Sequence, residues 1–343
     1  MKRWIARLLL PLLALPLLLA AAEPEAMAPL SPLSPRKVTL VICGLPPAAG
    51  IGYQMAIEKG FYRCRGLDVS LVYRDAALTC GPGGVERNGD FIVAPLLLAL
   101  KWRARDGMPL VHLTQVVNRS TQVLVGWKHR GITKPESLDK RRIALPLGTS
   151  QLAGRTFFEQ SKINPQVVGL SERGCAELFV QQRIDAAQFS DYAGMPSLYL
   201  YGIDREDLMV IPLHQDASLD IPEDGLYCRE ELWQQRPEVC QKMREATQEG
   251  WRYIVDEKHK EHREEAAAVL FKNSQKAKAP MNLTQTELTI RALMPALTAS
   301  GKLAQRSGEL SPATLKRAVD FLIGQKIIPA ETEIGIADFC RRK

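Results

Sequence analysis

Several signatures are missing from this chain of 343 residues, and each absence closes off a chemistry. No C-x-x-C pattern occurs, which removes a thioredoxin-like redox motif and a zinc knuckle. Gly81-Pro82-Gly83-Gly84 is not followed by Gly-Lys-Ser/Thr, so no phosphate-cradling P-loop is present. G-x-S-x-G and H-E-x-x-H are also absent, excluding a nucleophile elbow and that zinc-protease helix. Positive charges are scattered rather than run together, which argues against a dedicated nucleic-acid surface. Past the first 22 residues, no stretch is apolar enough to cross a bilayer. There is no internal repeat.

What is present begins with export. Lys2, Arg3 and Arg7 precede an apolar run from Leu8 to Ala22 that ends in Ala20-Ala21-Ala22. A basic start, a short apolar core and small residues at the end describe a cleaved secretory signal peptide, residues 1–22. An uncleaved anchor is the alternative, but the run is short for a span. No Cys follows it, which disfavours lipoprotein anchoring. Residues 23–36, rich in Pro, Ala and Ser, read as a flexible tether. The formal charge of +7 includes the three leader cations, leaving +4 on the mature chain. Seven cysteines (43, 64, 80, 175, 228, 240, 340) leave at least one thiol unpaired. Cys64 with Cys80, and Cys228 with Cys240, are close enough in sequence to pair, and spacing alone fixes no connectivity.

The stretch from Lys37 to Val72 organises the rest. A β-rich run, Val38 to Cys43, leads into a Gly/Pro/Ala loop, Gly44 to Gly50. A helical segment, Ile51 to Tyr62, and a second strand, Leu67 to Tyr73, follow. This is a βαβ unit, implying a parallel sheet with its ligand-facing loops at the strand carboxyl ends. Further strands are predicted at 90–93, 110–117, 122–127, 142–145, 166–169, 186–190, 208–213 and 224–228. Helices are predicted at 96–105, 151–160, 174–182 and 192–200. From Pro237 the pattern turns helical, over 238–271, 284–297 and 312–324. Thr133 to Glu136 fits a capping box. Arg74 to Arg87, with Cys80-Gly81-Pro82-Gly83-Gly84, reads as a loop at its centre. The alternation predicts an α/β chain with a second parallel sheet, entered across Asn118-Arg119-Ser120-Thr121.

Met55-Ala56-Ile57-Glu58-Lys59-Gly60-Phe61-Tyr62, then Gly66-Leu67-Asp68-Val69, resembles the opening of a family of periplasmic substrate-binding proteins. These NMT1/THI5-like proteins serve ABC importers of nitrate, alkanesulfonates and thiamine-pyrimidine precursors. The resemblance continues through Asn88-Gly89-Asp90-Phe91, Asp106 to Val111 and Gly131-Ile132 to Ile143, covering roughly residues 37–260. It implies the two-lobed type II periplasmic-binding fold: lobe one from 37–121 plus 226–343, lobe two from 122–225. It also implies a periplasmic monomer, without cofactor, that passes a small molecule to an inner-membrane permease powered by a separate ATPase.

The candidate ligand residues follow from both readings. Leu147-Gly148-Thr149-Ser150 before a helix offers free N–H groups and hydroxyls to an anion; capping by Thr149 or Ser150 is the alternative. Arg119 with Ser120 sits at the crossover, where Arg119 either grips an anionic group or lies in a solvated salt bridge. Asp191 and Tyr192 either meet a polar, planar ligand or serve as a cap and a rim contact. The family pattern adds Pro46 and Ala49 from the first loop and Ala94 after the third strand. His259 and His262 share a charged helix face, which is a weak metal signal. Two rival functions are a sensory module for a membrane receptor and a desulfinase-like enzyme with a nucleophilic Cys. A Cys beside a His or Arg in the cleft would favour the enzyme.

Overall fold

A computed structural model of the chain describes residues 35–43, 50–74, 89–256, 258–276, 280–298 and 308–341. The expected leader, nearly all of the tether, and Pro46 and Ala49 lie outside them.

Five strands form the first sheet: β1 (Arg36–Cys43), β2 (Leu67–Arg74), β3 (Phe91–Pro95), β4 (Leu110–Gln115) and β10 (Asp224–Arg229). Their order across the sheet is β2-β1-β3-β10-β4. β1 runs parallel to β2 and β3, while β10 is antiparallel to both β3 and β4. Alternation along β1 sets the two faces. Val38, Leu40 and Ile42 enter one core cluster, and Val41 and Cys43 the other. A strand covered on both faces reads as a nearly continuous apolar run, as β1 does.

The second sheet holds β5 (Gln122–Trp127), β6 (Arg142–Pro146), β7 (Gln166–Leu170), β8 (Ala186–Ser190) and β9 (Leu208–Pro212), in the order β7-β6-β8-β5-β9. The expected parallel sheet is in fact mixed. β6 pairs parallel with β7 and β8, but β5 pairs antiparallel with β8 and β9. The reason is that β5 is the segment that enters this lobe, and it alone runs against the others; β9, reached from β8 through the helix Met195–Leu200, keeps the direction of β6, β7 and β8.

The helices, in chain order, are α1 (Ile51–Glu58), α2 (Leu96–Ala104), α3 (Gln151–Gln160), α4 (Glu172–Val180), α5 (Met195–Leu200) and α6 (Glu230–Gln235). They continue with α7 (Pro237–Val255), α8 (Glu261–Lys276), α9 (Leu283–Thr298), α10 (Pro312–Gly324) and α11 (Ile336–Phe339). α1 stops short of Tyr62 because Gly60 takes φ +73°, a left-handed conformation that ends the helix. α4 begins two residues early because Ser171 caps it, accepting from the Gly174 N–H at 3.1 Å. Thr133 does not form the expected capping box: Lys134 occupies the cap of a short 3₁₀ turn, Pro135–Leu138, with no side-chain cap bond. The predicted run 238–271 is two helices, parted at Asp256, whose backbone is extended. α6 and α11, each too short to show periodicity, were not anticipated.

α7 is the main prop of the first lobe. Its buried stripe, including Val239, Met243, Ala246, Gly250 and Ile254, follows three-to-four spacing. It crosses α1 so closely that a Cβ on Gly250 would stand 2.2 Å from the Gly52 carbonyl oxygen. Both glycines are therefore required by contact rather than by φ.

The cysteine expectations need correction. Cys43 is disulfide-bonded, whereas Cys64 is an exposed free thiol. Cys228 and Cys240 are buried free thiols with sulfurs 3.7 Å apart. Among the described residues no helix is long and apolar enough to cross a membrane.

Candidate functional site

The chain leaves the first sheet after Gln115 and returns to it at Asp224, so two crossing segments lie side by side between the sheets. Residue 223 stitches them together through its backbone. Its N–H donates to the Val117 carbonyl at 3.0 Å, and its carbonyl accepts from the Leu96 N–H at 2.9 Å. The same carbonyl accepts from the Gln115 Nε2 at 2.9 Å.

A cavity of about 50 Å³ opens where these crossings meet the amino ends of α2 and α3. From the first lobe it is lined by Pro95, Leu97 and Phe321; from the second, by Thr149, Ser150 and Ala153. The crossings supply Ser120, Gln122 and Leu219 to Glu223, except Asp220.

Its polar floor is a carboxylate, and the sequence reading missed it. Glu223 Oε1 accepts from the Thr121 N–H at 2.6 Å, from Gln122 Nε2 at 3.2 Å and from Ser120 Oγ at 3.5 Å. Oε2 accepts from Thr121 Oγ1 at 2.8 Å. Burial raises the Glu223 pKa, and the bonds from Thr121, Gln122 and Ser120 pull it back. Beside it, Asp224 is buried and is pushed up to about 8, by burial first and by the Glu223 charge second. The Tyr192 hydroxyl donates to Asp224 Oδ2 at 3.4 Å. A third carboxylate, Asp220, takes the Ser120 N–H at 3.0 Å. The only sequence signal for this was Glu223-Asp224, two acids at the mouth of an apolar strand.

The Gly148-Thr149-Ser150 turn carries no side-chain cap. Gly148 adopts φ +82°, which turns the chain from β6 into the short 3₁₀ turn Gly148–Ser150 ahead of α3. Neither Thr149 nor Ser150 makes a side-chain cap bond, so the capping alternative finds no bond to rest on. The Ser150 carbonyl accepts from Gln188 Nε2 at 2.7 Å, and the same nitrogen donates to Gln122 Oε1 at 2.7 Å.

Of the expected residues, Ser120, Thr149 and Ser150 share the cavity, whereas Gly148 is exposed and does not line it. Arg119 is half-buried and acts on Asp191, whose pKa is raised by burial and drawn back by Arg205 and Arg119. Asp191 caps no helix; its N–H bonds to the Thr121 carbonyl at 2.8 Å, and α5 starts only at Met195. Tyr192 is buried against the first lobe rather than exposed at a rim. Ala94 is fully buried, in register with Gly225, and its neighbours Pro95 and Leu97 reach the cavity instead.

The two other constellations lie elsewhere. Asp256, His259 and His262 bring donor atoms within 4.8 Å of one another on the surface. His259 Nδ1 pairs with Asp256 at 2.8 Å, and His262 Nδ1 meets the Tyr253 carbonyl at 3.1 Å. Cys340 Sγ lies 3.4 Å from His112 Nδ1, packed with Tyr227 and Phe339. Neither residue of that pair lines the cavity.

Comparison with known proteins follows this geometry. The model of the family described as NMT1/THI5 like matches residues 49–260. Among solved structures, the periplasmic aliphatic sulphonate binding protein SsuA from Escherichia coli superposes with a TM-score of 0.62 at 14% identity. That alignment covers 90% of this chain and 98% of SsuA. The periplasmic nitrate-binding protein NrtA from Synechocystis PCC 6803 gives 0.60 at 14% identity, covering 86% and 83%. The desulfurization enzyme DSZB gives 0.59 at 14% identity, covering 89% and 97%. No curated protein matches the sequence.

Proposed function

The chain belongs to the NMT1/THI5-like family, and from that premise we propose that it is the extracytoplasmic solute-binding component of an ABC importer. It captures one small molecule between its lobes and presents it to a membrane permease. The observation that carries this reading is the cavity itself, which takes Pro95, Leu97 and Phe321 from one lobe and Thr149, Ser150 and Ala153 from the other. A ligand bridging such surfaces favours the closed arrangement of the lobes, the hinge-closure mode of ligand capture. Similar folds in proteins named as sulphonate- and nitrate-binding support the same role. The wager on residues is Ser120, Thr149 and Ser150 as contacts, with Gly148 shaping the turn and Arg119, Asp191 and Tyr192 around it.

The similarity to a desulfurization enzyme gives a second reading, that of an enzyme on this scaffold. Against it, no cysteine is among the described residues lining the cavity, and the Cys340–His112 pair is buried among aromatic rings away from it. The test is native mass spectrometry of the exported protein purified from its own host, before and after denaturation. A released small molecule is the expected result. A chain that arrives empty and gains no stability from any small solute refutes the binding role.

A further inference from the structure

The junction between α7 and α8 carries a second group of donors, apart from the cavity. We propose that His259 and His262 together hold one divalent transition-metal ion there, with Asp256 as the carboxylate that orients His259. The ion is of the borderline class that imidazole favours, such as Zn²⁺ or Ni²⁺.

Both rings are fixed in the state a metal needs. His259 Nδ1 donates to Asp256 Oδ2 at 2.8 Å, and His262 Nδ1 donates to the Tyr253 carbonyl at 3.1 Å. A carbonyl and an ionised carboxylate can only accept, so each ring proton sits on Nδ1. Each neutral ring therefore keeps its lone pair on Nε2, and among the described residues neither Nε2 has a hydrogen-bond partner. A carboxylate or a backbone carbonyl on the far ring nitrogen is the usual outer-shell support of a metal-bound histidine. Asp256 is held in its turn: its Oδ1 accepts from the Lys258 N–H at 3.0 Å, which suits it to orient a ligand rather than to be one.

The two rings also lie side by side. The His259 ring stacks on that of His262, with centroids 4.8 Å apart and 20° between the planes. His262 in turn stacks on Tyr253 of α7, at 3.6 Å and 21°. The Tyr253 hydroxyl donates to Glu265 at 2.6 Å, and the Lys59 ammonium stands 4.6 Å from its ring centroid. His262 is thus the anchored ligand, and His259, which is exposed, is the one that moves. Two nitrogens bound to one ion at about 2.0–2.1 Å stand about 3 Å apart. The donor atoms of the cluster already lie within 4.8 Å of one another, so a tilt of the His259 ring has less than about 2 Å to close.

The neighbouring cations leave room for the ion. Lys59 is paired with Glu265 at 2.7 Å, while Lys258 and Lys260 are exposed and can turn their long side chains into water. Two protein ligands leave the remaining positions to water, so the ion is an exchangeable one at the surface. It joins the segment that follows α7 to the first turn of α8, across the place where the extended backbone of Asp256 parts the two helices.

The test is calorimetry and thermal melting of the untagged, chelator-stripped chain with Zn²⁺ and with Ni²⁺. The expected result is one ion per chain and a melting temperature that climbs with metal concentration, as for any ligand of the folded state. His259→Gln and His262→Gln should each weaken binding tenfold or more, and Asp256→Asn about tenfold, the loss that follows removal of an outer-shell partner. His129→Gln, at an exposed histidine after β5, should leave the affinity unchanged. Absence of binding with both ions, or an affinity that survives both substitutions at 259 and 262, overturns the site. An equal loss in His129→Gln places the ion elsewhere and overturns it too. Full affinity in Asp256→Asn overturns the orienting role of that carboxylate. If His262→Gln does not fold, the exposed His259→Gln decides by the same criterion. The solute-binding reading is tested separately, since none of these residues lines the cavity.

Discussion

Asp224→Asn gives a sharp test of the buried acidic wall. Asp224 is 7% exposed and flanked by Glu223, with Tyr53, Tyr192 and Tyr227 in its field. Its pKa rises from 3.8 to about 8, so between those values the folded chain holds a proton that the unfolded chain has lost. The sign follows from linkage: the contribution is fully present below 3.8 and is lost as pH rises toward about 8. Each pH unit in that interval removes about 1.4 kcal/mol. From pH 5 to 7.5 the group therefore costs about 3.5 kcal/mol, or about 7 °C in melting temperature at about 2 °C per kcal/mol. Asparagine keeps the shape and an acceptor for the Tyr192 hydroxyl, but it cannot ionise. Thermal melting of both proteins at half-unit pH steps should show the variant gaining on the wild type steadily as pH rises. The difference removes the other titrating groups common to both. Parallel melting curves across this range would refute the assignment of a buried, proton-holding Asp224.

The Thr149→Ala/Ser150→Ala pair should leave the melting temperature within the change expected of about 0.5 kcal/mol, since neither hydroxyl caps α3. The same pair should weaken the recovered solute about tenfold or more by calorimetry; unchanged affinity would remove the turn from the site. Gly250→Ala drives a methyl into the Gly52 carbonyl and the Ala56 side chain, so chemical denaturation should report a loss of about 1–3 kcal/mol. A neutral result would mean that α1 and α7 are less tightly crossed than described. Thiol titration of the denatured, unreduced chain should count Cys64, Cys175, Cys228, Cys240 and Cys340, with Cys64 the fast-reacting one in the native state. A count lower by two, with Cys228 and Cys240 linked in a peptide map, would contradict the free pair.

Much of the fold could be read from periodicity because the strands are buried on both faces and the helices carry clear stripes. β5, β8, α3 and α10 fall at the residues expected. Strand direction was not legible: period-two alternation is identical for parallel and antiparallel neighbours, so β5 and β10 gave no warning of their reversal. The site was legible only in part. Gly148-Thr149-Ser150 and Ser120 announce themselves through local turn chemistry. Glu223 does not, because its partners lie a hundred residues back along the chain, and its meaning appears only when the second crossing lies beside the first. Ala94 shows the limit of a family pattern: its side chain is fully buried, and the next residue, Pro95, is the one that lines the cavity.

The position of β10 has a consequence for how the chain is made. β10 is the strand that joins β3 to β4, and it arrives only after every strand of the second sheet. While the ribosome emits the chain, β3 and β4 are already present, yet each keeps an open edge toward the other. The second sheet is one uninterrupted length of sequence and can close without waiting. The amino-terminal half thus stays unfinished until late in synthesis. The last strand to be placed in the first sheet also begins at Asp224, directly after the cavity residue Glu223, so the chain seals its core and completes its cavity in a single step.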